Sequence, residues 1–364
     1  MNLKIGFVGL GLIGGSIAKT LRLYHPECQI VAFDNNPDTL QSALEDGTIN
    51  ISCTDIDLHF ENCNYIFLCT PVSYICNYLE TISAFCHPNL ILTDVGSVKS
   101  SIHTEIKRLG LEANFIGGHP MAGSEKSGYA YARSLLLENV YYILTPTTLV
   151  SNEKLQAYFE LIHSINSLPV VLNHDEHDTI TGTVSHLPHI LASALVNFVK
   201  ESDSEASLMK QLAAGGFKDI TRIASSSPIM WQHICLENKE KLSFILSRYI
   251  DSLIHIKASI ESENASELFE MFESAKQYRD SVNDLTPGPI QKVYFLYCDI
   301  KDETGGIAAL ATLLAQNNIN IKNIGIVHNR EFEEGVLRVE FYETAALQNA
   351  VDILRCHTYN LYLH

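Results

Sequence analysis

The segment Ile5-Gly-Phe-Val-Gly9-Leu-Gly11-Leu-Ile-Gly14-Gly-Ser16 constrains this chain more than any other stretch. It reads as a short apolar strand that enters a G-x-G-x-x-G turn and leaves as a helix. Gly9 permits the tight turn, Gly11 lets backbone approach a pyrophosphate, and Gly14 lets the helix pack on the strand. The helix opens at Leu12 and Ile13, where free N–H groups and the positive end of the helix dipole suit phosphate oxygens. A glycine turn alone is a weak signal, but Asp34 stands about twenty residues further on, at the end of a second strand. A carboxylate there accepts hydrogen bonds from both ribose hydroxyls of NAD and repels the 2′-phosphate of NADP. No arginine follows in Asn35-Asn36-Pro37, so the expected cofactor is NAD. Thr70, in Cys69-Thr70-Pro71 at the end of a later strand, is expected to border the cofactor; the same tripeptide also reads as a helix start with proline in the first position.

Around this unit the chain divides into three parts. Up to residue 172, β-rich runs (Lys4–Val8, Gln29–Phe33, Tyr65–Cys69, Leu90–Thr93, Tyr141–Leu144, Pro169–Leu172) alternate with helical stretches. That alternation predicts a Rossmann domain (1–172), a buried parallel sheet covered by helices on both faces. From 173 to 285 only helical periodicity remains, in Ile190–Lys200, Ser207–Leu212 and Lys239–Ser262, and Ser227-Pro228 marks a helix start. This reads as an all-α substrate and dimerisation domain. Thr286-Pro-Gly-Pro289 is a linker signal. Beyond it, 291–364 carries a β-α-β-β-α-β pattern expected to form a small α+β domain.

The balance of 42 acids against 25 Lys and Arg gives a net charge of -17, which argues against nucleic acid as a partner. An anionic substrate must then be held by locally placed cations. Nine scattered cysteines form no C-x-x-C pair and no Cys/His cluster in the sequence, as suits reduced thiols in a cytoplasmic protein; no metal is expected. The apolar run Ile5–Ala18 is broken by glycines and leads into alternating α/β structure, so it is not a signal peptide, and no membrane span is expected.

Two further segments lie at strand ends, where open α/β sheets bind ligands: Asp94-Val-Gly96-Ser97-Val-Lys99, and the turn Gly117-Gly-His119-Pro-Met-Ala-Gly123-Ser124-Glu125. A histidine framed by Gly-Gly and Pro has little reason to be there for packing. In Ser185-His186-Leu-Pro-His189 two histidines share a helical face, without a third metal ligand at suitable spacing. Lys218-Asp219-Ile-Thr-Arg222 reads equally as a local cation for substrate or as a surface ion pair.

In this order, Gly9–Ser16, Asp94–Lys99, Gly118–Glu125, Ser185–His189 and Gly216–Arg222 resemble the prephenate dehydrogenase family, over the first 285 residues or so. The remainder is similar to an ACT domain, the small amino-acid-sensing module. Its Asp302-Glu-Thr-Gly305-Gly-Ile stands where that module has Asp-x-Pro-Gly-x-Leu, with Thr304 replacing proline. The resemblance implies NAD-dependent oxidative decarboxylation of prephenate to 4-hydroxyphenylpyruvate, in a homodimer, with tyrosine (or phenylalanine) as effector. It makes His119 the base at the substrate hydroxyl and Ser97 its hydrogen-bonding companion beside the nicotinamide. Arg222 then clamps a substrate carboxylate, with Lys218 adding positive potential. Glu125, Asp219 and His177 are implied to join Arg222 in an ionic network, and His189, Ser124 and Trp231 to line the pocket.

Three alternatives stay open. An arogenate dehydrogenase runs the same chemistry on a substrate bearing an ammonium group. A 3-hydroxyacid dehydrogenase would need a Gly-x-x-x-Lys segment in the helical domain, which is not found. A non-catalytic NAD and amino-acid sensor would retain the fold without turnover.

Overall fold

The structure is a computed structural model, and it describes residues 3–123, 126–204, 206–284, 294–300, 304–327 and 335–363. The chain divides into two compact units, Met1–Ala275 and Lys276–His364.

The first unit begins with β1 (Lys4–Val8), α1 (Leu12–Tyr24), β2 (Gln29–Phe33), α2 (Pro37–Glu45), β3 (Ile51–Cys53), β4 (Tyr65–Leu68), α3 (Val72–Ser83), β5 (Ile91–Asp94) and α4 (Ser100–Arg108). The five strands form a parallel sheet in the order β3-β2-β1-β4-β5. Helical crossovers place one apolar core on each face. Phe7, Ile17, Leu21 and Phe67 fill one, and Phe60, Ile75, Leu79 and Ile102 fill the other. The short β3 escaped the sequence pattern, and Pro71 is the N-cap residue of α3, one position before the expected one.

The sheet departs from the expectation in its second half. Next come β6 (Ile116–Pro120), β7 (Tyr141–Pro146), α5 (Asn152–Ser164) and β8 (Leu168–Val171). They form a three-stranded sheet in which β6 runs antiparallel to β7 and β7 parallel to β8. A parallel bridge between Leu92 and Phe115 links it to the first sheet. The Gly117-Gly-His119-Pro segment is therefore a strand, not a turn. Its glycines are there for room: a Cβ on Gly117 would lie 2.3 Å from Thr145 Oγ1, and one on Gly118 2.6 Å from the Asp94 carbonyl oxygen.

Helices follow: α6 (His174–Thr181), a π-helical turn (Gly182–His186), α7 (Leu187–Ser202), α8 (Leu208–Leu212), α9 (Gly215–Thr221), a 3-10 turn (Arg222–Ser225), α10 (Pro228–Glu237), α11 (Lys239–Glu261) and α12 (Ala265–Asp284). Asn173 and Glu176 form a capping box that starts α6, and the Ser227 hydroxyl accepts the Met230 N–H to start α10. The π-turn lies against α11, where a Cβ on Gly182 would come 2.9 Å from Ile245 Cδ1. Phe198, Ile254, Phe269 and Phe272 are exposed apolar side chains on these helices.

The C-terminal unit holds β9 (Tyr294–Ile300), α13 (Gly306–Gln316), β10 (Asn323–Val327), β11 (Gly335–Phe341), α14 (Thr344–Cys356) and β12 (Leu361–Leu363). Its antiparallel sheet has the order β10-β11-β9-β12. Leu310 and Leu314 of α13 and Val351 and Leu354 of α14 share one core with Leu296, Leu337 and Phe341. The linker expected at Thr286–Pro289 lies outside the described residues. Among the described residues, no helix is long and apolar enough to cross a membrane.

Candidate active site

The glycine turn has the geometry a dinucleotide needs. Gly9 adopts φ +98°, and a Cβ there would lie 3.0 Å from the Cys69 backbone. A Cβ on Gly14 would strike the Gly9 carbonyl at 2.4 Å, so the helix can start this close only without one. Gly11, in contrast, faces open space. It caps α1 without any side-chain bond, and the first turn, Leu12 and Ile13 included, carries no acid, so its N–H groups are left for an anion. Asp34 Oδ2 accepts the Leu10 N–H at 2.7 Å and Oδ1 the Asn36 N–H at 2.8 Å. These bonds pin the carboxylate beside the turn while each oxygen keeps a lone pair for a ribose hydroxyl. Thr70 Oγ1 is buried without a hydrogen-bond partner, an orphan that a bound cofactor would satisfy. The residues present fit NAD.

Past β5, a buried ionic layer underlies the second strand system. Asp94 and Lys99 are both fully buried and pair directly. Asp94 also accepts the Gly96 N–H at 2.8 Å and the Gly118 N–H at 3.2 Å. The Gly-Gly pair before His119 thus admits this ion pair beneath the strand. Burial pulls the Lys99 pKa below its ordinary value despite the attraction of Asp94.

His119 sits at the end of β6, above that layer. Its Nδ1 lies 2.8 Å from Nε2 of the buried His177, whose Nδ1 lies 2.8 Å from Asp178 Oδ1. Asp178 accepts the backbone N–H groups of Lys99 and Ser100, each at 2.8 Å. Burial pushes its carboxyl up, but His177, Ser100 and those amides outweigh burial and hold it at about 2. An ionised Asp178 can only accept, so His177 carries its proton on Nδ1 and presents a lone pair at Nε2. His119 must then donate from Nδ1, which leaves its Nε2 unprotonated. Burial, reinforced by His177, Lys99 and His186, keeps the His119 pKa well below 6.5. The assembly is a neutral imidazole base of fixed tautomer.

The helical region supplies a second wall. His189 stacks on Trp231 at 3.8 Å between ring centroids, and its Nδ1 donates to the Ser185 carbonyl at 3.0 Å. His186 is buried, with its Nδ1 3.2 Å from Asn238 Nδ2; burial takes its pKa down to about 4. Asn238 also donates to the Asp178 carbonyl oxygen at 2.9 Å, tying this wall to the histidine chain. Trp231 Nε1 is buried without a partner. Neither histidine of this motif belongs to a metal-ligand group among the described residues.

The remaining sequence candidates fall in several places. Ser97 is half-buried on the loop between β5 and α4, two residues before Lys99. Arg222 and Asp219 are exposed at the end of α9 and the turn that follows. Arg222 adds to the burial that lowers the His189 pKa, so it bears electrostatically on that wall. Ser124 and Glu125 lie outside the described residues. His177, implied to belong to an ionic network with Arg222, is buried and links His119 to Asp178. Sequence reading singled out the segment from Asp94 to Lys99 without a role for either end residue, and it missed Asp178 and Asn238. The one available signal was the adjacency of Asp178 to His177; the partners of Asp178 are 78 and 79 residues away along the chain.

Comparison with known proteins shows the family of the chain. Residues 17–170 match the model for the prephenate dehydrogenase nucleotide-binding domain, and 173–274 that for the prephenate dehydrogenase dimerization domain. A prephenate dehydrogenase of Bacillus subtilis is 38% identical over 343 residues, 94% of this chain and 92% of its own. The Aquifex aeolicus prephenate dehydrogenase, solved with hydroxyphenyl propionate and NAD+, superposes with a TM-score of 0.73 at 33% identity, covering 78% of this chain and 99% of that one. Synechocystis arogenate dehydrogenase gives 0.69 at 29% identity over 77% of this chain and all of that one. With more than half its length matched by the two domain models and a relative of this identity along nearly all of it, the chain belongs to the prephenate dehydrogenase family.

Proposed function

We propose that this protein oxidises prephenate with NAD, yielding 4-hydroxyphenylpyruvate, CO₂ and NADH. The observation that carries the reading is the His119–His177–Asp178 chain, which leaves one unprotonated nitrogen at the end of β6. NAD, held by Gly9, Gly11, Leu12, Ile13, Gly14, Asp34 and Thr70, supplies the hydride acceptor when bound. His119 Nε2 takes the proton of the substrate's 4-hydroxyl, and the imidazolium formed is stabilised through His177 by the Asp178 carboxylate. Ser97 hydrogen-bonds the same hydroxyl. As hydride leaves C4, the ring carboxylate departs as CO₂ and the ring becomes aromatic. Arg222 holds a substrate carboxylate, aided by Lys218, with Asp219 and Glu125 shaping its surroundings. His189, Trp231 and Ser124 line the wall.

We divide the protein into a cofactor domain (1–172), a helical domain (173–285) and an ACT-like domain (291–364). The exposed Phe198, Ile254, Phe269 and Phe272 suit a homodimer formed through the helices, as does the match to a dimerization domain. The free cysteines suit a reducing cytoplasm. The ACT-like domain binds tyrosine, with phenylalanine as second candidate. NADH formation from prephenate tests the activity: its absence with every cyclohexadienyl substrate would leave a sensor. The likeness to the Synechocystis enzyme favours one competing substrate, arogenate. The ratio of kcat/KM for prephenate and arogenate decides between them.

A further inference from the structure

Cys53, Asp57 and His59 follow closely in the sequence, and folding brings their donor atoms together at the edge of the first sheet. β3 ends at Cys53, and a 3-10 turn (Leu58–Phe60) begins at Asp57, its N-cap residue. The chain therefore doubles back within a few residues. One ligand atom each from Cys53, Asp57 and His59 lies within 4.8 Å of the others. Asp57 Oδ1 accepts both the backbone N–H and Nδ1 of His59, each at 2.9 Å. The Cys53 thiol also hydrogen-bonds Asp57. Cys53 is buried, whereas the other two side chains are about half exposed, so the cluster has a closed floor and an open mouth.

Its frame is fixed from below. Phe60, the last residue of the turn, is fully buried beneath Gly6, where a Cβ would come 2.8 Å from the Phe60 ring. Cys53 is held by pairing with Phe33 on β2. The donors thus stand on rigid supports, which keeps low the cost of ordering them around a ligand. We propose that Cys53, Asp57 and His59 form a site for a divalent transition cation of the zinc class, with a fourth position open to water. One sulfur, one imidazole nitrogen and one carboxylate oxygen are the donor types a borderline-soft, tetrahedral cation selects over magnesium or calcium. On binding, the thiol gives its proton to solvent and the thiolate sulfur bonds the cation. His59 moves its proton to Nε2 and ligates through Nδ1, and Asp57 exchanges two hydrogen-bond donors for the metal. Lys4 exerts an attraction that favours the Cys53 thiolate, against burial and Asp57, which together raise the thiol pKa to about 11.

The test is titration of the full-length, chelator-treated protein with Co²⁺, followed by Zn²⁺. The expected result is a saturable thiolate-to-cobalt absorption band that zinc abolishes. Cys53→Ser removes the band. His59→Gln weakens cobalt binding by at least about tenfold, since losing a ligand costs no less than losing an outer-shell partner. His59 is exposed, so that variant remains informative even if Cys53→Ser folds poorly. No thiolate band at saturating cobalt, a band that survives Cys53→Ser, or unaltered affinity in His59→Gln would each overturn the site.

Discussion

Nδ1 of His119 and Nε2 of His177 stand 2.8 Å apart, each ring with one face of its chemistry already committed. The rings meet nearly edge-on, at 65°. Because Asp178 fixes the His177 proton on Nδ1, the pair has one consistent protonation pattern, and it ends at an unprotonated His119 Nε2.

His119→Asn removes that nitrogen while preserving a polar side chain of modest size. We expect NAD binding to stay near its original strength and kcat to fall by about 10²–10⁴. Turnover at a near-normal rate in the variant would remove His119 from the role of base.

Asp178→Asn tests the tautomer argument and not merely the presence of a charge. An amide can donate to His177 Nδ1, which would turn the chain of protons around and leave His119 protonated at Nε2. We expect kcat to fall by about 10²–10⁴ with a smaller change in KM, as happens when a catalytic histidine is held in the wrong tautomer. The variant also loses charge-assisted bonds to the amides of Lys99 and Ser100, so thermal unfolding should show a loss of about 2 kcal/mol or more. A folded variant with unaltered kcat would sink the relay.

The pH dependence follows from the direction of the His119 shift. A base with a lowered pKa is active above that value, and activity is lost as pH falls through it. Burial, His177, Lys99 and His186 all push it below 6.5. The acid limb of kcat/KM, which reports the free enzyme's base, should therefore lie below pH 6.5. A limb at or above that pH contradicts the reading.

How much of this was legible in the sequence depends on how local each constraint is. Gly9, Gly14 and Asp34 stand at the fixed spacing of one β-α-β unit, so spacing exposes them, although the Cys69 backbone beyond β4 also crowds Gly9. His119 was visible as a residue but its strand was not. Gly117-Gly118 reads as a turn, and only the packed Asp94, Thr93 and Thr145 explain why a strand lacks side chains there. Asp178 carried a single local signal, its place beside His177, because its role is set by Lys99 and Ser100 on another helix start, joined to it only in the fold. The Cys53–Asp57–His59 cluster is local in the chain, and it was missed because its spacing matches no metal-binding pattern and only the turn after β3 brings the donor atoms together.

Asp34→Ala should weaken NAD and narrow its advantage over NADP, because a charge facing the 2′ position is gone. It also frees the Leu10 N–H, so the glycine turn loses an anchor and NAD suffers beyond the ribose contacts. The ratio of kcat/KM for NAD and NADP measures this. A wild-type preference for NADP would refute the assignment.

Arg222→Gln tests the substrate cation in a chain whose net charge of -17 offers no general attraction to anions. We expect KM for prephenate to rise by the equivalent of about 2–4 kcal/mol, with KM for NAD little altered. An unchanged KM for prephenate would return Arg222 to a surface role.

Truncation after Leu285 tests the C-terminal unit. That unit has its own core around Leu296, Leu310, Leu337 and Phe341, so its removal need not unravel residues that pack elsewhere. Its glycine turn holds Gly305 at φ +96°, and α13 begins there without a side-chain cap, leaving backbone N–H groups for a carboxylate. The unit is small and buries a modest core, which suits pairing with a second copy. A ligand that binds one arrangement better than another shifts the enzyme only by that difference, about 1–3 kcal/mol. We therefore expect tyrosine to inhibit the full-length enzyme, and the shortened enzyme to keep turnover and lose that sensitivity. If millimolar tyrosine leaves the intact enzyme unaffected, the unit serves assembly alone. If the truncated enzyme is still inhibited, tyrosine competes with prephenate in the pocket beside His119, and the C-terminal unit is not its receptor.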